Sequence, residues 1–374
     1  MIGEYKTFVP PLGDRAMSER MTSRDRVLTA LAHREPDHVP CWLGASPEWK
    51  EIARAHLALP DDESLLVYLG DDFRRVSTSY IGPLVTHPTA NLSHPDATYR
   101  TPFGIERHGY GYGMPLNEPL KGATTAAEVH AYSWPDPEWM DVSHIRQDAR
   151  EYDRRYAILG GEWSPFWHDA IDLLGFDGLI YQMYDSPEVV DAVMQHTADY
   201  YLGVSRRIFE ASGDAIDIFF IGNDFGAQAG PMLSPKFFRR FILPHLKRFV
   251  DLGHEFGKYV ILHCDGSIRA LLPDMIAIGM DGMQSVQPLC YGMGLTGLKR
   301  DFGLQFAFMG GVDTQSLIEG TVEDARLLTR KTLEIMMPGG GFIASPSHDY
   351  LLPETPVENV IVMYETIKEF GEYR

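Results

Sequence analysis

The sequence predicts an α/β protein built as a closed (β/α)8 TIM barrel. Short β-rich runs alternate with longer helical stretches, which implies parallel strands joined by right-handed crossovers. The runs number about eight, the count at which a parallel sheet closes on itself. No G-x-G-x-x-G follows the first run, so the main positive sign of an open dinucleotide-binding sheet is missing.

Taken in order, residues 1–21 carry Pro10, Pro11 and Gly13 without a hydrophobic period and read as an N-terminal arm with no catalytic part. The barrel is expected over residues 22–374. From Thr22 the pattern is helical, with Val27, Leu28 and Leu31 on one face, until Pro36 stops it before a first strand at Val39–Leu43. A second strand is expected within Leu66–Val76. Residues 79–139, rich in Pro, Gly, His and Tyr, read as an insertion with small strands that covers one barrel mouth.

The remaining strands are expected at Ala157–Gly160, Ile216–Ile221, Lys258–His263, Gly282–Val286, Gln305–Met309 and Gly341–Ser345. Between them, Ser234-Pro235 and Thr355-Pro356 each offer an N-cap followed by proline, and Glu358 would complete a capping box with Thr355. Gly213, Gly257 and Gly371 stand where helices should end.

The chain has 374 residues, is 44% hydrophobic and carries a formal net charge of -19. That charge disfavours nucleic acid and anionic membranes as partners. No apolar run approaches the roughly eighteen residues of a membrane span, and the N-terminus lacks the order of a signal peptide, so the expected location is the cytoplasm. Cys41, Cys264 and Cys290 form no C-x-x-C pair, which argues against a disulfide framework or a cysteine-rich zinc knuckle.

Barrel enzymes gather their chemistry just after the strands. Here Asp71 and Asp72 fall within the second strand run, and Glu162 and Trp163 follow the third. Asn223 and Asp224, with Gln228 nearby, follow the fourth, and His263 to Asp265 close the fifth. Gln287 ends the sixth, Asp313 the seventh, and His348 and Asp349 follow the eighth. This convergence points to an enzyme. Each acid also has a plainer role: Asp224, Asp313 or Asp349 as a helix cap, and Asp72 as an ion-pair partner of Arg74 or Arg75.

Alternation along a strand turns His263 and Asp265 toward the cavity and Cys264 into the layer between strand and helix, with Gly266 turning the chain. His263, Asp265 and His348 have the donor types of a three-ligand metal site with an open position. Without a metal the same trio suits a general acid oriented by a carboxylate. Both readings stand.

The stretches RDRVLTALAHREPDHVP, LGDDFRRV, DFGAQAGPMLSPKFFRRFILPHLK, HCDGSIRALLPDMIAIGMDGMQSVQP, FMGGVDTQ and PGGGFIASPSHDYLLPETPVENVIVMYE resemble the uroporphyrinogen decarboxylase superfamily. This superfamily includes corrinoid-linked methyltransferases. The resemblance implies a uroporphyrinogen decarboxylase-like barrel and, in the methyltransferase branch, zinc held by histidine, a spacer, cysteine, and a later cysteine. Here His263 keeps the histidine, Asp265 stands in the cysteine position, and Cys264 occupies the spacer.

The preferred expectation is a methyltransferase acting between a small O-, N- or S-methylated molecule and a corrinoid carried by a partner protein. A metal, zinc by the resemblance, would sit on His263, Asp265 and His348. Glu162, Asp224, Gln228 and Gln287 would orient substrate, with Trp163, Tyr110 and Tyr112 as aromatic wall. The family allows monomers and homodimers. Genuine decarboxylases carry an arginine pair in R-Q-A-G-R-Y, for which this chain reads VPCWLGASPEWKEIA. Asp72 resembles their pyrrole-binding aspartate and His348 their late histidine, so decarboxylation of a porphyrinogen is the alternative. A non-catalytic small-molecule-binding barrel is a third.

Overall fold

Seven strands run parallel in one curled sheet, in chain order: β1 (Phe73–Arg75), β2 (Ala157–Gly160), β3 (Ile218–Gly222), β4 (Tyr259–His263), β5 (Gly282–Val286), β6 (Ala307–Val312) and β7 (Phe342–Pro346). The computed structural model describes residues 21–83, 98–109 and 113–373. Tyr110, Tyr112 and all of the expected arm but Met21 lie outside them.

The eighth place is filled without a regular strand. Residues 39–43 make one isolated bridge, Cys41 to Ala344 of β7. Ala344 donates its N–H to the Pro40 carbonyl at 2.8 Å, Trp42 donates to Ala344 O at 3.1 Å, and Asp72 donates to Cys41 O at 3.0 Å. The segment therefore bridges the seam between β7 and β1, and the sheet is a distorted (β/α)8 barrel. The ladder stays irregular because carboxylates take amides that a strand would give to backbone. Asp72 Oδ2 accepts from Cys41 N at 2.8 Å, and Asp71 Oδ2 accepts from Leu43 N at 2.5 Å.

The expected second strand is mostly helix. Asp62–Leu69 is α-helical and ends on Gly70 at φ 85°, so only Phe73–Arg75 is extended and both aspartates precede it. The expected capping box at Thr355 is not formed. The last helix, Val357–Phe370, begins after Pro356, and the buried Thr355 hydroxyl makes no hydrogen bond while its carbonyl accepts from Trp49 Nε1 at 2.9 Å. Ser234 does cap its helix, accepting from Phe237 N at 3.4 Å.

Strand alternation sorts the core into two layers. Phe73, Ala157, Ile218, Tyr259, Ala307 and Ile343 face inward and meet Val27, Leu28 and Leu31 of helix α1 (Ser23–Leu31). This helix plugs the N-terminal end of the barrel, each apolar side chain contributing about 2 kcal/mol of burial. Outward residues such as Phe219, Leu262, Met283 and Phe308 pack under the surrounding helices. With its lower end closed, the barrel presents a site only at the C-terminal ends of its strands.

Described parts of the 79–139 stretch include a three-stranded antiparallel sheet, Thr98–Arg100, Glu106–His108 and Met114–Pro115. Arg107 fastens this sheet to the helix Phe166–Leu174 through Asp169 at 3.0 Å and Asp172 at 2.5 Å. Among the described residues no helix is long and apolar enough to cross a membrane.

Candidate active site

The run YVILH of β4 is buried throughout, with Tyr259 and Ile261 inward, so His263 projects inward at the upper end of the strand. Cys264 turns the other way. It is fully buried in the outer layer, where its Sγ accepts from Phe225 N at 3.2 Å. Gly266 has φ 80°, and a Cβ there would lie 2.6 Å from the Gly226 carbonyl carbon. Only a pair of glycines lets the loops after β3 and β4 press together this closely. That contact brings Asp224 Oδ1 to 2.7 Å from Asp265 N, from which it accepts.

Around His263 the acids converge. Its Nε2 is 3.6 Å from Asp224 Oδ1 and 4.0 Å from Asp265 Oδ2, and its Nδ1 is 3.8 Å from Asp349 Oδ2. His348 Nε2 lies 2.8 Å from Asp265 Oδ2, and its Nδ1 lies 3.2 Å from Asp349 Oδ1 and accepts from Tyr350 N at 2.9 Å. The two imidazoles meet edge to face with centroids 6.2 Å apart. His168 joins from a helix, its Nε2 accepting from Asp224 N at 3.0 Å.

Asp265 is fixed on its other oxygen. Its Oδ1 accepts from Gln287 Nε2 at 2.9 Å and from the Ser285 hydroxyl. Ser285 reaches it because the β5–β6 ladder slips between Gln284 and Val286, leaving Ser285 at φ 83°. A bulge that re-aims a side chain beside a functional site is a common use of such irregularity.

Gln284 pairs with His263 in the ladder, so both face inward. Its Oε1 is 2.5 Å from His263 Nδ1, while its Nε2 is buried with no hydrogen-bond partner. In this amide orientation Nδ1 carries the proton. The lone pair of Nε2 is thereby directed toward Asp224 and Asp265.

The electrostatics follow from this crowding. Burial works against protonating His348, yet hydrogen bonds and charge from Asp265 and Asp349 outweigh it and raise the pKa to about 10. Burial likewise opposes a charged His263, and Asp349, Asp265 and Asp224 together raise it. Burial would raise Asp224, but His168, His263 and the Asp265 amide hold it well below the usual carboxylate range.

One donor atom each from Asp224, His263 and Asp265 lies within 4.8 Å of the others. A zinc ion with bonds of about 2.0–2.2 Å to nitrogen and oxygen fits this set after a small contraction, and His348 Nε2 is within reach as a fourth donor. The arrangement is therefore a candidate metal-coordinating cluster of histidine and aspartate.

A family model for uroporphyrinogen decarboxylase (URO-D) matches residues 120–370. The chain belongs to the URO-D family. A uroporphyrinogen decarboxylase of Syntrophotalea carbinolica is 28% identical over 252 residues, covering 65% of this chain and 69% of that protein. A methylcobamide:CoM methyltransferase, MtbA, of Methanosarcina acetivorans is 20% identical over 59% of this chain and 61% of its own length. The solved structure of a methyltransferase from Methanosarcina mazei superposes with a TM-score of 0.64 at 19% identity, covering 93% of this chain and 99% of that one. That likeness shows the URO-D fold.

Of the residues singled out in the sequence of this URO-D protein, His263, Asp265, His348, Asp224 and Gln287 meet in one cluster. Trp163 borders it, its ring 5.2 Å from that of His263. Glu162 is half-buried and bonded to Thr78 at 3.1 Å, its pKa raised by burial. Gln228 is turned to Leu289 O and Cys290, outside the cluster. Asp313 caps a helix, accepting from Ser316 N at 2.7 Å. Asp72 is at the other end of the barrel, paired with Arg26 at 2.8 Å rather than with Arg74 or Arg75. The registers Arg75↔Leu159↔Ile218↔Tyr259 set it below the start of β4, whose last residue is His263. His168, Ser285 and Gln284 had not been singled out, and only the register and a helix from elsewhere bring them in.

Proposed function

We propose that this URO-D family protein is a methyltransferase that moves a methyl group between a small O-, N- or S-methylated molecule and a corrinoid carried by a separate cytoplasmic protein. The observation that carries the reading is the convergence of Asp224, His263 and Asp265 at the C-terminal end of the strands, with His348 on the Asp265 carboxylate. The methylcobamide:CoM methyltransferases among its relatives support it. Asp224, His263 and Asp265, with His348, would hold zinc, which when bound supplies Lewis acidity to the heteroatom bearing the methyl group. Cys264 faces the outer layer, so the site would use carboxylate where the resemblance would place thiolate.

The chain's own residues set the conditions for transfer. Gln284 keeps the His263 proton on Nδ1 and the donor lone pair toward the cluster. Ser285 and Gln287 immobilise Asp265 through Oδ1, so that Oδ2 faces His348 and His263. Asp265 and Asp349 favour a proton on His348, which the ring would have to release before its Nε2 could bind the metal. Trp163 lies against one flank of His263, its ring 5.2 Å away.

A porphyrinogen decarboxylase fits less well. Its many substrate carboxylates require several cations, and Asp72, the residue matched to pyrrole binding, is engaged with Arg26 at the plugged end. The test is exchange of methyl groups with corrinoid, followed by the cobalt spectrum, across methoxyaromatics, methylamines and methylated thiols. One class should convert the cobalt between its methylated and reduced forms. No cobalt conversion with any class, together with release of carbon dioxide from uroporphyrinogen, would overturn the reading.

A further inference from the structure

Trp163 owes its place beside His263 to a side chain that β3 lacks. Ile218 and Phe220 face inward on β3, so alternation puts Gly222 inward next, in register with His263 of β4. A Cβ on Gly222 would lie 2.0 Å from Trp163 Cζ2 and 2.1 Å from its Cε2. The indole therefore fills the space that a side chain at 222 would take, and from there its ring is 5.2 Å from that of His263 and 5.3 Å from that of Phe220. Gly222 N also donates to the Trp163 carbonyl at 2.7 Å.

The turn that delivers the indole is strained. Ser164 is wholly buried and has φ 61°, a conformation that residues other than glycine rarely adopt. Asn223 holds it there. This amide is 1% exposed; its Nδ2 donates to Ser164 O at 2.9 Å, and its Oδ1 accepts at 2.9 Å from Trp167 N, in the first turn of the helix Phe166–Leu174. Its backbone N–H donates to the His263 carbonyl at 3.0 Å. One residue thus ties the Trp163 turn to the last residue of β4. The imidazole of His263 is then held from both neighbouring strands, by Gln284 of β5 at Nδ1 and by the indole that lies over Gly222 of β3.

We propose that Asn223 and Gly222 are positioning residues: together they seat the Trp163 indole against the His263 imidazole, which fixes the ring plane and so the direction of Nε2. The consequence for metal binding rests on the function proposed above; the seating of the indole does not.

Gly222→Ala, Asn223→Ala and Trp163→Phe are compared with the wild-type protein in two ways. Crystals of the metal-free proteins show the rings, and titration with cobalt(II), followed by its visible spectrum, reads affinity and ligand geometry together. Gly222→Ala and Asn223→Ala should displace the indole and turn the imidazole. Cobalt affinity should fall about tenfold or more in both, with altered visible bands, while the far-ultraviolet dichroism stays that of wild type. Trp163→Phe leaves the turn and its hydrogen bonds intact and should weaken cobalt binding in the same direction, which keeps the test decisive should either of the others fail to fold. An indole that stays in place in both Gly222→Ala and Asn223→Ala would overturn the inference. So would an unmoved imidazole with wild-type cobalt affinity once the indole is displaced or replaced by phenyl. If the wild-type protein binds no cobalt, the metal reading fails by itself, and the ring positions in the metal-free crystals still decide the inference.

Discussion

His263→Ala is expected to lower methyl transfer by about a thousandfold or more, the scale of several kcal/mol of lost Lewis-acid stabilisation. The effect should be large because this imidazole is the group on which the cluster converges: Asp224, Asp265 and Asp349 all lie within 4.0 Å of its two nitrogens. Zinc content of the purified variant should fall with activity, while folding persists, since the outward residues flanking it, Leu262 and Cys264, keep their packing. Metal analysis and dichroism on the same sample check both parts. Retained zinc with retained turnover would show that the imidazole is a spectator.

Asp72→Ala should instead act on stability. Asp72 is buried, accepts from Cys41 N at 2.8 Å and pairs with Arg26 at 2.8 Å. Its removal leaves a buried amide without an acceptor at the barrel seam and Arg26 with Asp37 alone. Breaking such a pair from one side costs about 3–5 kcal/mol, which for a chain of this size lowers the thermal midpoint by about 5 °C. Below that midpoint the turnover number should match wild type, because the residue is at the plugged end. A catalytic Asp72 would give the reverse pattern, an unchanged melting curve with lost turnover.

The barrel was legible because parallel strands covered on both faces read as unbroken apolar runs, as in IFFIG and YVILH. Val39–Leu43 looked equally strand-like, yet its amides are captured by Asp71 and Asp72, a long-range exchange that no local pattern announces. In the sequence Asp72 reads either as a substrate-binding acid or as an ion-pair partner of its neighbours Arg74 or Arg75, whereas its partner Arg26 is 46 positions away. His263 and Asp265 were legible from alternation alone, and so was the outward turn of Cys264. Gln284 carries no local signal. Its role exists only through lateral register with His263, set by the crossover between β4 and β5.

The central claim is that Asp224, His263 and Asp265, with His348 beside them, form one metal-binding point over the open end of the barrel. Anomalous diffraction at the zinc edge, from crystals of protein loaded with one equivalent of zinc, tests it most directly. The expected result is a single strong peak about 2.0–2.2 Å from His263 Nε2 and from an oxygen of each aspartate. A peak elsewhere, or none at this cluster under stoichiometric loading, would contradict it.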